Sequence, residues 1–316
     1  MHGRFCSGET RSSGEGDPGV SHFETRSGFI SIVGRPNVGK STLVNSLVGE
    51  KVAIISRRPQ TTRNTIRGIV TLSELNTQLV LVDTPGIHKP RNALGERLNT
   101  LVYGSLAEAD VALFVLDATK RIGRGDRLIA ERLQQAGVPV IVAVNKVDIA
   151  GKAEVLGQLG EAGEWDFEAY VPISAKRADG MEPLIGELVE LLNPGPFFFP
   201  PDAKSDQPDE LFAAELIREK YLSRLRDELP HSLAVVINEL ETLENGVMRI
   251  DATAIVERDS QKGMAIGKGG SLVRDVGTEA RVDLEKLFGT KVFLELNVKV
   301  EKDWQRKNEL LDRLGF

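Results

Sequence analysis

The residues richest in chemistry are Gly34-Arg35-Pro36-Asn37-Val38-Gly39-Lys40-Ser41, which fit the pattern G-x-x-x-x-G-K-[ST]. An apolar run, Phe29 to Val33, leads in, and a helical pattern from Thr42 leads out, the strand–loop–helix setting this pattern requires. Glycines let the backbone curl until successive N–H groups converge on phosphate oxygens, and a helix N-terminus adds partial positive charge. Lys40 is placed to reach the β- and γ-phosphates and the Ser41 hydroxyl to hold Mg2+. Further on, an apolar run ends in Asp83-Thr84-Pro85-Gly86. A carboxylate at the carboxyl end of a strand is where an α/β sheet presents ligand-binding groups, and downstream of a phosphate loop it orders the Mg2+ hydration shell. Gly86 can offer its N–H to a γ-phosphate and pivot when that group leaves. Read singly, these runs could be a glycine-rich turn and a helix cap; their order and setting argue for a nucleoside-triphosphate site.

Two later runs select the base. Asn145-Lys146-Val147-Asp148 and Ser174-Ala175-Lys176 each follow an apolar strand. Guanine presents an N1–H beside an exocyclic N2–H2, and the Asp148 carboxylate can accept from both, whereas adenine offers a lone pair there. A site built around such an acceptor strongly rejects a base lacking the donors. Asn145 is expected to brace the loop and contact the base, the Lys146 stem to lie on the ring face, and the Ala175 N–H to meet guanine O6.

The elements that must position these residues are alternating strands and helices. Strands are expected over 67–73, 77–82, 111–116, 138–144 and 170–173, and a helix over 126–135. All-apolar strands alternating with helices indicate a mostly parallel sheet with helices on both faces. Between the first helix and the second strand lies a polar stretch, Lys51 to Thr65, containing Gln60-Thr61-Thr62-Arg63; ordered loops of this length tend to be functional.

A proline-rich segment, Asn193 to Asp209, then reads as a stiffened linker. Its Phe197-Phe198-Phe199 is expected to pack between domains. The remainder reads as helix, two strands joined at Glu244-Asn245-Gly246, helix, Gly267-Lys268-Gly269-Gly270, helix, strand, helix. The G-x-x-G run lets a nucleic-acid backbone approach closely, with Lys262, Lys268 and Arg274 supplying positive potential and Met264, Ala265 and Ile266 lining an apolar groove for unstacked bases. Alone this run would be a glycine-rich turn; in this order of elements it resembles an α+β type II KH domain, and the resemblance implies RNA binding.

Composition sets the outer bounds. The 316 residues favour two domains. Hydrophobic content of 41% and charge of 27% are those of a globular protein, and a net charge of −6 makes any nucleic-acid contact a local one. The single cysteine, Cys6, excludes an internal disulfide and a thiolate metal cluster. No apolar run is long enough to span a bilayer, and the first 27 residues, rich in Gly, Ser and charge, read as a disordered tail without a secretion signal.

With these motifs in view, residues 28–193 resemble a GTPase domain of the translation-factor-related class, and Pro36-Asn37 with Thr61-Thr62-Arg63 resembles its Era branch. The whole arrangement resembles the Era family: tail 1–27, P-loop GTPase domain 28–193, linker 194–209 and type II KH domain 210–316. The resemblance implies GTP and GDP as ligands with Mg2+, held by Ser41, Asp83 and a loop threonine, Thr62 with Thr61 as the alternative. It assigns nucleotide contacts to residues 34–42, 83–87, 145–148 and 174–176, and catalysis to Lys40, Thr62 and Gly86. Where Ras-like enzymes carry a water-orienting Gln, this chain has Ile87, so hydrolysis is slow or uses another device; K+ bound at Asn37 is the one the resemblance suggests. The resemblance further implies a cytoplasmic monomer that binds the 3′ region of 16S rRNA, assists small (30S) ribosomal subunit maturation and associates peripherally with the inner membrane. The rival expectations are a GTPase whose C-terminal domain binds another RNA or a protein, and a GTP-binding scaffold that hardly hydrolyses.

Overall fold

The computed structural model describes residues 24–56, 58, 61–86, 93–225 and 229–314. Its first sheet contains β1 (Arg26–Val33), β2 (Ile66–Leu72), β3 (Thr77–Asp83), β4 (Val111–Asp117), β5 (Val140–Asn145) and β6 (Ala169–Ile173), in the order β2-β3-β1-β4-β5-β6. All pairings are parallel except β2 with β3. The helices are α1 (Lys40–Val48), α2 (Ala93–Ala107), α3 (Arg124–Ala136), α4 (Lys152–Gly163) and α5 (Met181–Leu191). Alternation along each strand feeds two cores. Leu113 and Val115 join the layer containing Leu43, Val44, Leu184 and Leu188, while Ala112, Phe114 and Leu116 join Val102, Ile129 and Leu133. Both faces are covered, which is why these strands are apolar throughout.

The chain leaves β1 toward β2 and β3 on one side and β4 to β6 on the other, and a crevice opens where the direction reverses. Register lines up the strand ends around it: Ile32 pairs with Asp83, Asp117 with Asn145, and Asn145 with Ile173.

The second unit is α6 (Asp209–Arg224), a short α7 (Leu229–Ser232), β7 (Ala234–Thr242), β8 (Met248–Val256), α8 (Asp259–Ile266), α9 (Ser271–Phe288), β9 (Val292–Val300) and α10 (Asn308–Arg313). Strands β7 and β8 pair antiparallel, and β9 returns parallel to β8 after the α8–α9 crossover. Val276, Ala280 and Leu284 repeat every four residues along α9 and are fully buried.

Four sequence expectations change. Strand β1 starts at Arg26, inside the segment read as tail: its N–H donates to Asn76 O at 3.0 Å, and Ser27 Oγ donates to Pro196 O at 2.6 Å. Backbone pairing needs no apolar side chain, so the apolar run marks only part of the strand. Helices α2 and α4 were not legible; Gly157, Gly160 and Gly163 dilute the periodicity of α4. The final helix is split, because Asp303 adopts φ 52° and Lys307 is extended between a 3-10 turn (Trp304–Arg306) and α10. The phenylalanine run does not fill the gap between domains. Gln78 of β3 holds the Phe198 and Phe199 N–H groups at 2.9 and 3.0 Å, the Phe198 ring lies 4.8 Å from Phe29 of β1 and is 49% exposed, and Lys204 O accepts from Ile69 N at 2.8 Å. The linker is laid along the first sheet.

What joins the two units lies elsewhere. Ile54, from the stretch after α1, is buried in the second unit's core. Leu94 and Leu98 of α2 pack with Ala234, Ile255, Trp304 and Leu311.

Candidate functional site

The phosphate loop leaves β1 through Gly34 (φ 152°) and turns at Asn37 (φ 65°) and Gly39 (φ 107°). A Cβ on Gly39 would lie 2.3 Å from Asn145 Nδ2, so only glycine lets the two loops close together. Arg35 reaches out to Asp126 at 3.2 Å, and Val38 is buried. Lys40 opens α1, buried, with Nζ donating to Gly34 O at 3.2 Å and Arg35 O at 3.4 Å. Burial lowers its pKa, and the charge of Asp83 opposes that.

Three oxygens converge beside it. Ser41 Oγ donates to Asp83 Oδ2 at 2.6 Å, Thr62 Oγ1 donates to the same oxygen at 3.2 Å, and the two hydroxyls are 2.9 Å apart. The Thr61 hydroxyl joins none of these oxygens and instead donates to Arg58 O at 2.7 Å. Asp83 is completely buried, and its Oδ1 is buried without a hydrogen-bond partner. Burial pushes its carboxyl up; Lys40 and the two hydroxyls oppose the shift. An all-oxygen donor set with an uncompensated buried carboxylate oxygen fits Mg2+, a hard cation usually held by one or two carboxylates plus phosphate oxygens and water. Among the described residues no group of three His, Cys, Asp or Glu could hold a metal ion.

Thr84 is buried and donates to Ile32 O at 2.8 Å, and Pro85 is buried beside it. A Cβ on Gly86 would come within 2.9 Å of Pro36 Cγ, so this loop packs directly on the phosphate loop. Pro36, Asn37, Gly39 to Thr42, Ile54 to Ser56, Thr61, Thr62 and Gly86 line a single cleft. Ile87 and Gln60 lie outside the described residues.

Asn145 ties the base-side loops together. Its Nδ2 donates to Val38 O at 2.8 Å, and its Oδ1 accepts from Lys146 N at 2.8 Å and Ala175 N at 2.9 Å. The Ala175 N–H, expected at guanine O6, is thus directed at Asn145. Lys146 has φ 72°, and its Nζ donates to Asn37 O and Asp117 Oδ2, both at 2.7 Å. Asp117 was not anticipated; its position at the end of β4, level with Asn145, was the available signal. Val147 N donates to Ile173 O at 3.2 Å, and Ser174 Oγ donates to Asp148 Oδ1 at 2.8 Å. Arg177 stands 3.7 Å from Asp148 Oδ2, while Lys176 is exposed.

In the second unit, Gly267, Gly269 and Gly270 all have positive φ, from 61° to 75°. Lys268 and Arg274 are exposed and Lys262 is half-buried. Ala265, expected in a groove, is fully buried in the core. Met264 is exposed and Ile266 half-buried. The groove that adjoins the loop runs instead between α9 and β9, about 470 Å3, lined by Gly270, Val273, Arg274, Gly277, Arg281 and Phe293 among others. Phe293 is 53% exposed, an aromatic side chain lining the same groove as Arg274 and Arg281 that periodicity does not single out.

Residues 29–146 match the family model described as 50S ribosome-binding GTPase, and residues 228–305 match the KH domain model. The chain is 52% identical over 300 residues to GTPase Era of Mycobacterium sp. (strain JLS), covering 93% of this chain and 99% of that protein. It is 44% identical over 292 residues to GTPase Era of Ruminiclostridium cellulolyticum, covering 92% and 97%. Among solved structures it is similar to Era in complex with MgGDPNP and nucleotides 1506–1542 of 16S ribosomal RNA, with TM-score 0.89, 38% identity and 99% of that chain covered. A variant of Aquifex aeolicus Era bound to GDP·AlF4− gives TM-score 0.88 at 38% identity.

Proposed function

The chain belongs to the Era family of GTPases, and on that footing we propose a guanine-nucleotide switch that gates binding of 16S rRNA. We assign residues 28–193, together with Arg26 and Ser27, to the GTPase domain, 194–209 to the linker and 210–316 to the KH domain. In the nucleotide half, Lys40 turns its ammonium from Gly34 O and Arg35 O to the β- and γ-phosphates. Ser41, Thr62 and Asp83 are the residues that hold Mg2+, with Gly86 donating its N–H toward the γ-phosphate. Bound Mg2+ supplies neutralising charge at the phosphate oxygens. Asp148, aimed by Ser174, accepts from the guanine N1–H and N2–H2 and rejects adenine. Asn145 and Lys146 lock the base loop to the phosphate loop, and Asn37 would hold K+.

In the RNA half, the G-x-x-G backbone and Lys268 contact phosphates, while Arg274 and Phe293 meet unstacked bases. The Era complex with nucleotides 1506–1542 supports a target near the 3′ end of 16S rRNA. With that target we further propose a role in maturation of the small (30S) subunit; the cytoplasm as its place is the family expectation. Peripheral membrane association is part of the same family expectation; no helix among the described residues is long and apolar enough to cross a membrane.

One observation carries the coupling of the halves. Thr62 meets the nucleotide site, while Ile54 and the neighbouring Arg63, whose Nη1 donates to Leu233 O at 2.8 Å, meet the KH domain. A change at Thr62 and Arg63 on loss of the γ-phosphate is therefore felt by both domains. The test is RNA affinity of the full chain with GDP and with a non-hydrolysable GTP analogue. The analogue complex is expected to bind the 3′ segment at least several-fold more tightly; identical affinities refute the coupling.

A further inference from the structure

The face of α6 that meets the GTPase domain carries a buried ion pair that nucleotide contacts do not explain. Arg218 is 2% exposed and Glu215 6%. Arg218 Nη1 lies 3.1 and 2.9 Å from the two carboxylate oxygens of Glu215 and donates to Thr61 O at 2.7 Å. On the other side of Thr62, Arg63 is 1% exposed, with its guanidinium 5.8 Å from the centre of the Trp304 ring and a hydrogen bond to Leu233 O. Trp304 is fixed in turn by donating from Nε1 to Ser232 O at 2.8 Å. Residues 61–65 belong to neither helix nor strand, so side chains must set their geometry. Burying two arginines here is costly unless each is paired, and both are anchored on KH-domain atoms on either side of the one residue whose hydroxyl approaches Ser41 and Asp83.

We propose that Arg218, braced by Glu215, is a positioning residue for Thr62: the KH domain holds the Thr61 carbonyl and thereby fixes the loop in its triphosphate-binding form. The inference rests on the reading of Thr62 as a ligand made only in the GTP state. A loop already held in place does not subtract its ordering entropy from GTP affinity. GDP lacks the γ-phosphate and gains nothing from the same arrangement. Arg218 therefore acts on discrimination between the nucleotides, at a distance from both.

The experiment compares full-length wild-type protein with Arg218→Met, Arg218→Lys and Thr62→Ala. It measures affinity for GDP and for a non-hydrolysable GTP analogue in Mg2+, and amide hydrogen exchange of residues 61–65 without nucleotide. Loss of one charge-assisted hydrogen bond predicts that R218M weakens analogue binding roughly tenfold. GDP binding stays unchanged, exchange over 61–65 accelerates, and R218K recovers part of both effects. If T62A loses analogue affinity selectively and R218M does not, the positioning role is overturned while the reading of Thr62 stands. If T62A changes neither nucleotide, that reading fails and the inference with it. A merely structural Arg218 would weaken both nucleotides equally, which also overturns the proposal. Should R218M fail to fold, Glu215→Gln, which preserves volume and removes the bracing charge, is judged by the same selective loss.

Discussion

Asn145 bonds both to the phosphate loop and to the Ala175 loop, so its carboxamide fixes the distance between the site for phosphates and the site for the base. Lys146 repeats that link through Asn37 O and Asp117. Asp117 is held below the ordinary carboxylate range: burial pushes it up, but hydrogen bonds from Lys146 and Thr119 and the Lys146 charge outweigh this. Asn37 stands exposed at the rim of the cleft, at a turn with positive φ. With K+ as the charge that replaces an arginine finger there, GTP turnover is expected to be faster in KCl than in NaCl at equal ionic strength. Phosphate release measured in the two salts decides this, and equal rates reject a K+ site.

At the scale of elements, the G-x-x-G turn depends on backbone space. Gly267 adopts φ 75°, and a Cβ there would lie 2.7 Å from Leu272 Cβ and 2.8 Å from Leu272 N. Gly267→Ala is therefore expected to distort the start of α9 at a cost of about 1–3 kcal/mol. RNA affinity should fall while guanine-nucleotide affinity holds, because the turn and the phosphate loop belong to different domains. Parallel titrations with RNA and with GDP check the separation; equal losses would mean general unfolding. The spacing of Val276, Ala280 and Leu284 made α9 legible. The groove beside it is not, since it is completed by Phe293 of β9, a strand outside the helix.

Over the whole molecule, the domains meet through an apolar contact between α2 and the Trp304 region and through a charged one at Lys51. Lys51 Nζ lies 2.5 Å from Glu219 and 3.3 Å from Asp283, and Lys220 bonds to the same Asp283. Burial pushes the Asp283 carboxyl up, but the Lys220 hydrogen bond and the charges of Lys51 and Lys220 outweigh it and hold it low. A carboxyl whose pKa is depressed on folding adds stability above its unfolded value, and that stability is lost as pH falls through its folded value. Acidification below the ordinary carboxylate range should weaken this contact. Denaturation profiles of the wild type and Asp283→Asn are expected to differ near neutral pH and to converge in acid. A difference that persists unchanged in acid would show that the charge plays no part.

Short-range patterns carried the expectation of nucleotide chemistry. The residues from Gly34 to Ser41, Asp83 to Gly86 and Asn145 to Asp148 each lie within a short run at a strand end, where local backbone geometry and residue type suffice to suggest a role. The order of strands and helices carried the fold class for the same reason, because hydrophobic periodicity is a local property. Which loop threonine turns inward, where the linker lies and what holds residues 61–65 were decided only in three dimensions. Thr61 and Thr62 are chemically equivalent neighbours, and Arg218 lies more than 150 residues further along the chain. Contacts between distant segments depend on how two finished domains pack, and no spacing along a single chain encodes that directly.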